Sequence, residues 1–63
     1  MKTYLQQLFE QIEKLNLSDS ASIVLTALEG EPAILQVREG PTLRIYKQNE
    51  DLTELIQIQA IDL

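Results

Sequence analysis

The stretch EGEPAILQVREGP, Glu29 to Pro41, decides the fold of this 63-residue chain. Glu-Gly occurs twice in it, each time with a proline close behind, and Ala33-Ile-Leu-Gln-Val-Arg38 lies between the two. Glycine permits positive φ, while proline presets φ and removes a backbone donor, so both pairs read as turns. The apolar run between them is then a strand, bounded at each end.

Working outward, Ser22-Ile-Val-Leu-Thr-Ala-Leu28 and Thr42-Leu-Arg-Ile-Tyr-Lys47 are rich in β-branched and aromatic residues and read as the flanking strands. Upstream, Thr3-x-x-Gln6 fits a capping box. It opens a stripe of Leu5, Leu8, Ile12 and Leu15 at helical spacing, over residues 4–16. Asn16 and Ser18-Asp19-Ser20 end that pattern, because short polar side chains compete for backbone hydrogen bonds. At the C-terminal end, Ile56 and Ile58 alternate with Gln57 and Gln59, and a phase slip at Ala60 suggests a bulged fourth strand. The alternative is a C-terminal helix capped by Asp51-x-x-Glu54, giving α-β-β-β-α. The expected fold is α+β: one domain over residues 1–63, with an N-terminal amphipathic helix packed on one face of a three- or four-stranded antiparallel meander.

Alternation along the strands divides the sheet into two faces. With a three-residue turn at Glu39-Gly40-Pro41, Ile23, Leu25, Ala27, Ala33, Leu35, Val37, Leu43 and Ile45 fall on the helix side, with Ile56 and Ile58 if the fourth strand forms. The outer side then carries Val24, Leu28, Ile34 and Tyr46 among Thr26, Gln36, Arg38, Thr42 and Arg44. One helix covers one face, so Val24, Leu28, Ile34 and Tyr46 are the expected self-association or docking surface, with an exposed strand edge as the other route to self-association. A chain this short has a small core, and with no Cys and no His it has neither disulfides nor the common zinc sites to stabilise it. Good local packing or oligomerisation remains, and a dimer is expected.

Ten acidic residues against five basic ones give a net charge of −5, which opposes nonspecific attraction to nucleic acid or anionic lipid. In a meander with four strands the first and third turns share one end, bringing Glu29 and Glu31 to the same side as Glu50, Asp51 and Glu54. That acidic end suits a basic protein partner, as a mimic of nucleic-acid phosphates. No calcium-loop pattern is present, and no metal or cofactor is expected.

The absence of His and Cys removes the Ser-His, Cys-His and Cys-x-x-Cys arrangements, and Gly30 and Gly40 are too few for a phosphate-cradling loop. Glu10 and Glu13 read as solvated helix surface. The chain is therefore not expected to be an enzyme. No run approaches a membrane span, and no signal-peptide pattern stands at Met1-Lys2-Thr3-Tyr4, so a cytoplasmic protein is expected. The expected function is that of a small acidic interaction module, a homodimer that binds and modulates or inhibits another protein of unknown identity. Small phage inhibitors are analogous in size and charge. The alternative is an accessory subunit docked through its outer sheet face. Direct single-strand nucleic-acid binding through Arg38, Arg44 and Tyr46 is disfavoured by the charge balance.

Overall fold

The computed structural model describes residues 1–63, which form one short helix and a four-stranded antiparallel sheet, an α+β architecture. The elements are α1 (Tyr4–Glu13), β1 (Ser22–Thr26), β2 (Ile34–Glu39), β3 (Thr42–Gln48) and β4 (Leu55–Asp62), with the strands in the sheet order β1-β2-β3-β4. The C-terminal segment is thus a strand, not a helix. No helix is long and apolar enough to cross a membrane.

The capping box forms as the sequence indicates. Gln6 N–H donates to Thr3 Oγ1 at 3.1 Å, and Thr3 N–H donates to Gln6 Oε1 at 2.9 Å. The helix ends three residues earlier than its apolar stripe suggests. Leu15 and Asn16 N–H donate to Ile12 and Glu13 carbonyls in tight turns, and Asn16 adopts φ 52. Left-handed backbone at a helix terminus suits Asn, whose short side chain tolerates it.

Leu8, Ala33, Leu35 and Val37 are fully buried, and Tyr46 is 8% exposed. Ile12, Leu15, Leu17, Ala21, Leu25 and Leu55 pack in part against Leu35, Val37 and Tyr46. Only seven of 63 residues are buried, a small core even for this length.

The turns correct the face assignment. Glu39 pairs directly with Thr42, so the β2–β3 loop is the two-residue Gly40-Pro41 instead of the expected three-residue turn. Gly40 has φ 58, and positive φ followed by proline suits a tight hairpin loop. One residue fewer in the loop shifts the pairing by one, and such a shift moves every side chain of the strand to the opposite face. Tyr46 therefore pairs with Leu35, and Arg44 with Val37, on the core side. Leu43 and Ile45 turn outward.

Two further expectations change. β1 stops at Thr26, opposite Ile34, so Ala27 and Leu28 belong to the following turn, where Glu31 N–H donates to the Leu28 carbonyl. In β4 the irregularity lies at Ile58, unpaired between Gln57, opposite Tyr46, and Gln59, opposite Ile45. Ile56 pairs with Lys47 and Ile61 with Leu43, which places both on the outer face. Leu55, Gln57 and Ala60 lie on the core side. Asn49, not Asp51, organises the β3–β4 turn: its Oδ1 accepts from Thr53 N–H at 2.8 Å and Glu54 N–H at 3.2 Å.

Candidate interaction surface

The register resolves the outer face into cross-strand rows: Val24-Gln36-Ile45-Gln59, Thr26-Ile34-Lys47-Ile56 and Ser22-Arg38-Leu43-Ile61. Its aliphatic side chains gather on the β3–β4 half, where Leu43, Ile45, Ile56 and Ile61 surround the bulged Ile58. The β1–β2 half is more polar, with Val24 and Ile34 set among Ser22, Thr26, Gln36 and Arg38. Val24 is 60% exposed, Ile34 37%, Ile56 47% and Ile58 59%. Arg38 and Lys47 are the ionisable groups of these rows, and no carboxylate stands among them. Leu43, Ile45 and Ile61 are half-buried by their neighbours in these rows.

Of the residues expected on this face, Val24 and Ile34 lie there. Leu28 is exposed on the β1–β2 turn, and Tyr46 is in the core, because the two-residue loop reversed the phase of β3. The sequence reading missed Leu43, Ile45, Ile56 and Ile61. The adjacent Gly40 and Pro41 were the available signal, since together they fill a two-residue hairpin loop.

Glu29 and Glu31 lie in the β1–β2 turn and Glu50, Asp51 and Glu54 in the β3–β4 turn, at one end of the meander. Glu29, Glu31, Glu50, Asp51 and Glu54 are all exposed. No three carboxylates come close enough to hold a metal ion. The Gln11 side chain from α1 reaches this end, donating from Nε2 to the Leu52 carbonyl at 2.9 Å.

At the opposite end Arg44 forms an ion pair with Glu39, which also accepts from Ser18 N–H at 3.3 Å. Arg44 and Tyr46 lie on the core side and Arg38 on the outer face, so the three do not share the one face expected of them. The widest concavity, about 400 Å³ between α1 and β1, is open, and its polar lining is Glu13, Asn16 and Ser18. No general acid and base face one another across it. No protein-family model, curated protein or solved structure matches this chain.

Proposed function

We propose that this protein is a non-enzymatic interaction module, a homodimer that binds and modulates another protein through its acidic end. In this reading the N-terminal helix packs on one face of the meander and leaves the outer face and the unpaired strand edges for association. The observation that carries it is the separation of two unlike surfaces: an outer face with exposed aliphatics and no carboxylate, and an end with Glu29, Glu31, Glu50, Asp51 and Glu54. Uncharged surface suits a self-contact that resists salt, while clustered surface charge suits a partner whose association weakens as salt rises.

Affinity capture with the wild-type protein beside a Glu29→Gln, Glu31→Gln, Glu50→Gln triple variant tests the acidic end. A basic protein retained at low salt by the wild type and lost by the variant is the expected result. Equal retention by both proteins at moderate salt removes the acidic end from the reading.

The second reading is an accessory subunit docked permanently through the outer face. The concentration of Leu43, Ile45, Ile56 and Ile61 on the β3–β4 half favours it, because permanent interfaces are the more hydrophobic ones. Its complex would resist salt and fail on Ile45→Asp.

A further inference from the structure

We infer that two copies of this chain join through β4, edge to edge and antiparallel, to make one continuous eight-stranded sheet. The inference rests on the self-association proposed above and adds which strand mediates it and in what register. β4 is the last strand of the sheet, with nothing paired to its outer edge, and Ile56 to Ala60 are all exposed. An unpaired edge offers a row of backbone donors and acceptors to another strand, and native proteins usually blunt it with lysine, proline, an inward charge or a bulge. From Leu55 to Ile61 the strand has no lysine, proline or charge. Its one such device is the bulge at Ile58, which a partner strand must match.

That bulge determines the register. Ahead of it the outward side chain is Ile56, and beyond it Gln59 and Ile61 point outward, so the parity of the strand changes at its middle. Direct partners in an antiparallel pair share a face. A two-fold axis between Ile58 and Gln59 sets Ile56 against Ile61 of the second copy and Gln57 against its Ala60. Like face then meets like face from Leu55 to Asp62. Sliding by one residue sets Ile56 against Ala60 or Asp62, both on the core side, and breaks the match.

The occupant is a second copy on grounds of charge. The chain carries −5, yet the seam carries no ionisable side chain between Leu55 and Ile61, so two copies meet there without opposed like charges. A basic partner would be drawn to the acidic end instead. Eight residues at ~3.4 Å each make a seam about 27 Å long, and with the Ile56 and Ile61 rows this is a small interface, reversible on dilution.

The test uses the absence of native cysteine. Gln57→Cys and Ala60→Cys single variants are mixed, oxidised and compared with each variant alone, alongside sedimentation equilibrium of the wild-type protein. Direct strand partners have Cα atoms ~4.5–5.5 Å apart, within disulfide reach. Both positions lie on the core side of the sheet, so a dimer formed through the outer faces cannot join them. The expected results are a wild-type dimer and at least tenfold more covalent dimer in the mixture than in either variant alone. Ile58→Cys mixed with Gln59→Cys provides a second pair, and Ile58→Lys should raise the dissociation constant at least tenfold with the circular dichroism spectrum unchanged. A wild-type monomer at every concentration overturns both this geometry and the self-association beneath it. A wild-type dimer with no mixed disulfide from either pair overturns the β4 seam and leaves self-association standing.

Discussion

Gln48 donates from Nε2 to Gln11 Oε1 at 2.9 Å, and both side chains are buried. The same Gln48 accepts from Ala33 N–H through Oε1 at 2.9 Å, while its own N–H donates to the Ala33 carbonyl at 2.9 Å. Its side chain thus stands in for a strand carbonyl just beyond the last β2–β3 partners. Gln11 passes the chain of hydrogen bonds on to Leu52. Helix, hairpin and β3–β4 turn are tied together through two amides, each supplying a donor and an acceptor.

Gln48→Leu should therefore cost about 2–3 kcal/mol, because it strands a buried backbone N–H and the Gln11 carbonyl oxygen together. The Gln11→Leu, Gln48→Leu double variant should cost less than the sum of the two single changes, since the members of the network share partners. Urea unfolding followed by circular dichroism measures all three. Strict additivity would mean that the two amides are not energetically linked.

The reversed phase of β3 makes Tyr46 and Ile45 opposite in consequence. Tyr46→Ala removes a ring from the core and should cost ~3 kcal/mol or more, comparable with the whole stability of so small a domain. Ile45→Ser, at a half-buried outer-face position, should cost clearly less, about 1–2 kcal/mol. Thermal melts of the two variants at low concentration compare them. A stable Tyr46→Ala beside an unfolded Ile45→Ser would require the three-residue β2–β3 turn instead of the observed loop.

The Tyr4 hydroxyl is buried without a hydrogen-bond partner. An unpaired buried hydroxyl is a desolvation cost with no return. Tyr4→Phe keeps the ring and should be neutral or stabilising by up to about 1 kcal/mol. A urea midpoint that falls by an equivalent amount would show that the hydroxyl has a partner in solution.

Gly40 has φ 58, with no atom within 4 Å of the position a Cβ would occupy. Space is not the constraint there, and backbone strain is. Gly40→Ala should cost about 1 kcal/mol or more in urea unfolding, because a Cβ is strained at positive φ ahead of Pro41. An unchanged urea midpoint would show that the loop relaxes to negative φ without loss.

Helix start, the first three strands and the approximate turn positions were legible along the chain because each depends on neighbouring residues, while the C-terminal pattern fitted a fourth strand or a helix. Thr3 and Gln6 cap one another across a single turn, and the Gly-Pro punctuation on both sides of Ile34–Glu39 acts through local φ alone. The sides of the sheet were not legible in the same way. A difference of one residue in the Gly40-Pro41 loop sends Tyr46 to the core and Ile45 outward, and both arrangements give the same hydrophobic strand in sequence. The bulge at Ile58 and the buried Gln11–Gln48 pair, 37 residues apart in the chain, depend likewise on pairing between distant segments. Local chemistry chose the elements of this protein, and tertiary register chose which of their faces meet solvent.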